Sequence, residues 1–195
     1  MLPVVCGIWN WHNRFRGIPV TRIEWVYGPR QREGRELSAE DLEGRDVVEL
    51  RMRMRHAIEL ARLCPKSPGA FSVGAVIVGE DDVELAHGYS RETDPKVHAE
   101  ESALDKLGDD PRLAHATLYS TLEPCSQRAS QDRAPCTDRI LAAGIRRVVI
   151  AWREPSTFVA DCVGVEKLRE HGVEVIELPD MAEEAMSMNR HLELG

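Results

Sequence analysis

From Asp46 to Leu63 the apolar positions Val47, Leu50, Met54, Ala57, Ile58, Ala61 and Leu63 recur at helical spacing, with Arg51, Arg53, Arg55 and Glu59 between them. This pattern predicts an amphipathic helix, stopped by Pro65. Val73 to Val78 is a continuous apolar run of strand length. The acidic turn Glu80-Asp81-Asp82 then leads to a second short strand, Val83 to His87, and the two predict a hairpin. A polar loop through Asp94-Pro95 follows, and a helix opens at His98 with Ala99, Ala103, Leu104 and Leu107 on its buried side, ended by Gly108. Three further strands are expected at Ala116 to Leu122, Arg147 to Trp152 and Val173 to Leu178. Helices are expected at Cys136 to Ala143 and Val163 to Glu170, with a last one from Met181 to Leu192. Alternation of this kind predicts an α/β layered fold whose last strands run parallel beneath crossover helices.

The first 45 residues have another character. They hold Trp9, Trp11 and Trp25, scattered Arg and Gly, and a polar run from Gly28 to Gly44, with at most one strand from Ile18 to Tyr27. The organisation expected is an N-terminal extension over 1–45 and one domain over 46–195. The extension is either loosely ordered or a segment that packs on a second subunit or over a pocket, since aromatic side chains are costly to leave in water.

The chain has 195 residues and a formal charge of −8, with a pI near 5.4. An acidic balance argues against a surface that tracks a phosphate backbone, so a small-molecule partner is expected rather than nucleic acid. Arg128, Arg133 and Arg139 cluster in sequence and could hold an anionic group. Cys6, Cys64 and Cys162 carry no spacing that suggests disulfides, and no apolar run approaches membrane-spanning length. A cytoplasmic protein without membrane attachment is expected.

The candidate chemistry lies in Val97-His98-Ala99-Glu100-Glu101, Pro124-Cys125 and Pro135-Cys136. One His and two Cys form a soft ligand set that can hold Zn²⁺ with an open fourth position, and Glu100 is the unligated carboxylate such a site uses as a proton shuttle. Zinc lowers the pKa of bound water toward neutrality, and Glu100 can carry its proton to a ring nitrogen and then to a departing amine. A lone His-Ala-Glu is a common helix start, and Pro-Cys pairs can be buried structural thiols. In this order, with a strand ending just before Cys125 and helices opening at His98 and Cys136, the set points to hydrolytic deamination. Helix N-termini there would favour thiolate.

Several segments carry a family resemblance: Ala57 to Arg62, Val73 to Val78, His98-Ala-Glu100, Thr121 to Ser126, Pro135 to Asp138, Ala143 to Val149 and Met188-Asn-Arg190. Through them the chain from Asp46 to about Arg190 resembles the deaminase domain of the bifunctional riboflavin-biosynthesis enzymes, within the cytidine deaminase superfamily. The resemblance implies a three-layer α/β/α fold around a mixed five-stranded sheet, zinc on His98, Cys125 and Cys136, Glu100 as catalytic residue, and assembly as a homodimer or larger. The long interval between Cys125 and Cys136 is nearer the riboflavin branch than the nucleoside and nucleotide branches, whose two cysteines stand close together.

The chain departs from that branch where substrate would be read. The family's Asn-Pro is replaced by Gly69-Ala70-Phe71, its His after Gly-Tyr by Ser90, its paired His by Gln127-Arg128, and its Gly-Lys-Gly-like segment by Ala160 to Gly164. Ala70, Ser72, Ser90, Gln127, Arg128 and Arg133 are the candidate substrate-binding residues, with Ser130 and Asp132 beside them in the inter-cysteine loop. The expected function is a free-standing zinc deaminase, without a reductase domain, acting on a small aminopyrimidine-type base, nucleoside or nucleotide. The alternatives are the diaminohydroxyphosphoribosylaminopyrimidine deaminase step of riboflavin synthesis, a non-catalytic zinc-binding interaction module, and base editing, against which the acidic balance counts.

Overall fold

Alternate residues along each strand are committed to opposite apolar layers, and this sorts the helices into two sets. The computed structural model describes residues 39–128, 132–153 and 163–192. The first helix, α1, runs Ala39–Ala61, followed by β1 (Gly74–Val78), β2 (Glu84–Tyr89) and α2 (Ala99–Asp105). Next come β3 (Thr117–Ser120), α3 (Cys136–Ala142), β4 (Arg147–Ile150), α4 (Gly164–Glu170), β5 (Glu174–Glu177) and α5 (Ala182–Met186). Ile77, Leu118, Val148, Ile150 and Val175 pack with Ala103 and Leu104 of α2, Ile140 of α3, and Val165 and Leu168 of α4. Val76, Val78, Tyr119, Val149 and Ala151 pack instead with Met54, Ala57 and Ile58 of α1 and Ala185 of α5. A two-residue side-chain period on the strands produces this division, which makes three layers, α/β/α.

The sheet has strand order β2-β1-β3-β4-β5. β1 pairs antiparallel with β2 and β3, while β3 with β4 and β4 with β5 are parallel, so the five strands form the expected mixed sheet. The predicted hairpin is present, and its turn places Asp82 at φ 61°, a left-handed conformation that Asp tolerates better than most residues. Two glycines set layer spacing. A Cβ on Gly74 would lie 1.9 Å from the Ala57 carbonyl oxygen of α1, and one on Gly88 would lie 2.5 Å from that of Ala99 at the start of α2.

Three expectations are corrected. Helix α1 begins at Ala39, ahead of Asp46, although Gly44 is a poor helix former and the segment before Asp46 has no apolar period to reveal it. On α1 the stripe is narrower than its spacing suggested: Val47 is exposed and Leu60 is buried, while Leu63, also exposed, lies beyond the helix end at Ala61. The expected helix over Met181 to Leu192 is broken into a 3₁₀ turn (Pro179–Met181), the short α5 and a second 3₁₀ turn (Ser187–Asn189). The break accompanies a buried tie. Asn189 Oδ1 accepts the Ser72 N–H at 2.7 Å and its Nδ2 donates to the Ser72 carbonyl at 3.0 Å. The strand expected at Ile18 to Tyr27, the tryptophans Trp9, Trp11 and Trp25, Ser130 and Cys162 lie outside the described residues.

Candidate active site

His98 closes the loop before α2, Cys125 lies in the turn after β3, and Cys136 is the first residue of α3. These three segments meet where α2 and α3 start, beside the end of β3. His98 Nδ1 is 3.5 Å from the sulfur of Cys125 and 3.5 Å from that of Cys136, and the three ligand atoms lie within 4.8 Å of one another. Zinc–sulfur and zinc–nitrogen bonds of ordinary length at a tetrahedral angle put N and S about 3.6 Å apart, so the donor set has the chemistry and the spacing of a zinc site. The backbone contributes as well: the Cys136 N–H donates to Cys125 Sγ at 3.4 Å.

Glu100 is 3% exposed and stands on the first turn of α2, two residues beyond His98. Its Oε1 accepts a hydrogen bond from Ser120 Oγ at 2.9 Å, and its Oε2 is 3.4 Å from Cys136 Sγ. Ser120 follows Tyr119 on β3, so the strand period turns it toward α2. Burial pushes the Glu100 carboxyl above the usual carboxylate range, while the His98 ring and the Ser120 hydroxyl pull it down. The thiols diverge. A hydrogen bond from Cys136 holds Cys125 down to about 4 against its burial, with His98 adding to the effect. That same hydrogen bond and complete burial push Cys136 up.

A cavity of about 600 Å³ opens over this cluster, with His98, Glu100 and Cys125 in its wall. Ala70, Ser90, Gln127 and Arg128, four of the candidate substrate-binding residues, also line it. Ser72 and Arg133 are not in its lining among the described residues. The Ser72 hydroxyl accepts from Arg91 Nη2 at 2.9 Å, which turns it into the wall. Arg133 pairs with Asp94 at 2.7 Å and Glu101 at 3.1 Å. Arg128, although at the cavity edge, donates to Glu101 at 2.7 Å and to the Lys96 carbonyl at 2.6 Å. Arg139 also reaches Glu101, at 2.9 Å. The three arginines therefore do gather on an anion, and that anion is a side chain of the protein.

Phe71, named in sequence only as part of the Gly69-Ala70-Phe71 replacement, also lines the cavity, and lining residues that the sequence did not single out include Arg91, Lys96 and Glu123. Phe71 meets Trp152 edge-on at 5.8 Å between ring centres. Arg91 holds the wall together through the Pro65 and Phe71 carbonyls, each at 2.8 Å. Glu123 Oε1 accepts the Val165 N–H at 2.9 Å, joining the turn before Cys125 to α4. Its only sequence signal was the Glu-Pro-Cys context.

Residues 49–152, a span that includes His98, Glu100, Cys125 and Cys136, match the cytidine and deoxycytidylate deaminase zinc-binding region. Over 127 residues the chain is 41% identical to the diaminohydroxyphosphoribosylamino-pyrimidine deaminase of Schizosaccharomyces pombe, covering 64% of this chain and 31% of that protein. It is 42% identical over 118 residues to the riboflavin biosynthesis protein RibD of Aquifex aeolicus, covering 60% of this chain and 31% of that one. The chain thus spans about a third of the length of these curated relatives. Among solved structures, the Rib2 deaminase of Aspergillus oryzae matches with a TM-score of 0.64 and 26% identity, over 73% of this chain and 92% of that chain. With more than half of its residues inside the matched region and the ligand set assembled there, the chain belongs to the cytidine and deoxycytidylate deaminase zinc-binding family.

Proposed function

We propose that the protein is a zinc-dependent hydrolytic deaminase that removes an exocyclic amine from a small aminopyrimidine. The observation that carries this reading is the buried Glu100 carboxylate beside a His98, Cys125 and Cys136 cluster at the wall of a 600 Å³ cavity, a volume suited to a free base, nucleoside or nucleotide. His98, Cys125 and Cys136 would hold the zinc. When bound, zinc supplies Lewis-acid chemistry that makes hydroxide available near neutral pH.

The remaining work falls to residues of the chain. Glu100 accepts the proton of the attacking water and delivers it to a ring nitrogen as the amine-bearing carbon becomes tetrahedral. It then takes the second proton of that oxygen and passes it to the amine, which leaves as ammonia while the carbonyl forms. The Ser120 hydroxyl holds Oε1, leaving Oε2 on the side of the ligand cluster for this traffic. Burial serves the same end, because a carboxyl raised above its usual range is a stronger base and keeps its protonated form populated closer to neutral pH, ready to hand the proton on.

Relatives named for the riboflavin pathway support its diaminohydroxyphosphoribosylaminopyrimidine as the first specific substrate to test. Ala70, Ser90, Gln127 and Arg128 line the cavity at positions where the chain departs from that branch, and this supports testing other aminopyrimidines beside it. The deciding experiment is an ammonia-release assay on zinc-loaded protein with that nucleotide, cytidine, deoxycytidylate and simple aminopyrimidines. Turnover of at least one, reduced by about 10²-fold or more in Glu100→Gln, is expected. No release from any of them, or full activity in the variant, refutes the reading.

A further inference from the structure

Beside the site lies an ion cluster whose members come from every segment that carries a candidate ligand. Glu101, 1% exposed, follows the shuttle residue on α2. Its Oε2 accepts the His98 N–H at 3.3 Å and Arg128 Nη1 at 2.7 Å, and its Oε1 accepts from Arg133 at 3.1 Å and Arg139 at 2.9 Å. Arg128 stands three residues after Cys125, Arg133 three before Cys136, and Arg139 three after it. The outer groups balance the charge. Arg133 also pairs with Asp94 at 2.7 Å and Arg139 with Asp105 at 2.8 Å, giving three cations against three carboxylates.

Such a cluster is a poor source of net stability. Desolvating buried charges offsets most of their attraction, and apolar side chains of the same volume often serve as well. What the ions supply, and apolar packing does not, is direction: a carboxylate with both oxygens occupied fixes three guanidinium groups and one backbone amide at set distances. Cys125 and Cys136 stand eleven positions apart in sequence, and His98 belongs to a third segment, so the spacing of the three ligand atoms has to be set by contacts between segments.

We propose that Glu101 is a positioning residue for the metal centre: through Arg128, Arg133 and Arg139 it holds Cys125 and Cys136 at bonding distance from His98. This inference rests on the zinc reading of those three residues. It goes further by assigning the geometry of the centre to a carboxylate that touches neither metal nor substrate.

The test uses the full chain. Zinc content of the wild-type protein is measured first, then zinc affinity by chelator competition and the visible spectrum of the cobalt-substituted protein, for wild type and Glu101→Gln. Groups that orient ligands typically carry 10–100-fold of metal affinity. A loss of that order in Glu101→Gln is expected, with altered cobalt bands and an unchanged far-ultraviolet circular dichroism spectrum, whereas a merely structural role would leave the cobalt bands alone. Equal affinity and an identical cobalt spectrum in the folded variant overturn the inference. If Glu101→Gln does not fold, Arg133→Gln, whose side chain is 26% exposed, carries the same test with a several-fold loss expected and no loss refuting it. Arg133→Lys, which keeps the charge, should recover part of that loss. Wild-type protein without stoichiometric zinc would overturn the zinc reading and this inference together, and that result is visible before any substitution is made.

Discussion

Glu100 is restrained at Oε1 by the Ser120 hydroxyl, while Oε2 faces the Cys136 sulfur at 3.4 Å. Ser120→Ala removes that restraint at a position with no exposure, so the carboxylate gains freedom without gaining water. The expected result is a fall in kcat of about tenfold, equivalent to about 1.4 kcal/mol, with KM little changed. The sign of the pH effect follows. The Ser120 hydrogen bond lowers the Glu100 pKa, so its loss raises it, and the acid limb of the kcat/KM profile should move to higher pH. A profile that stays put with unaltered kcat would deny Ser120 this role. That His98, Cys125 and Cys136 would come together, with Glu100 beside them, was legible from sequence because one His-Ala-Glu and two Pro-Cys pairs in that order are rarer than any one of them alone. Glu101 was not legible, since a second glutamate on a helix looks like surface and its three arginines are more than 25 residues distant.

At the scale of elements, the layers are spaced by missing side chains. Gly74 lets β1 approach α1 so closely that an added methyl would meet backbone, which cannot yield as a flexible side chain could. Gly74→Ala should therefore destabilise the fold by about 2–3 kcal/mol, read as a lower urea midpoint at unchanged slope. A shift under about 0.5 kcal/mol would mean that α1 is free to slide. The strands were legible because short stretches centred on apolar residues stand between turn signals, β1 as a continuous apolar run and β2 and β5 with polar residues among the apolar ones. The final helix was misjudged for a physical reason: local periodicity favoured its continuation, but Asn189 is drawn to the Ser72 backbone, a partner 117 positions away that no local pattern encodes. The start of α1 was missed for the opposite reason, having no apolar period at all.

For the whole molecule, two apolar layers enclose the sheet independently of the candidate ligands, with Ile77, Leu118 and Ile140 at 0% exposure in one and Met54, Ile58 and Val76 at 0% in the other. Metal removal is therefore expected to loosen rather than unfold the protein. Binding at a hundredfold above Kd adds about 2.7 kcal/mol to the folded state, so chelation should lower Tm by roughly 5–10 °C and leave the circular dichroism spectrum native below the transition. Unfolding on chelation at room temperature would show instead that the ion is needed to complete the core. No helix among the described residues is long and apolar enough to cross a membrane.

The clasp between Asn189 and Ser72 reaches beyond the carboxyl-terminal turn where it sits. Ser72 adjoins Phe71, which with Ala70 lines the cavity, so the turn that carries Asn189 is tied to the cavity wall. A substitution at Asn189 would therefore be felt in the cavity wall at Ala70 and Phe71, although Asn189 hydrogen-bonds to none of His98, Glu100, Cys125 and Cys136.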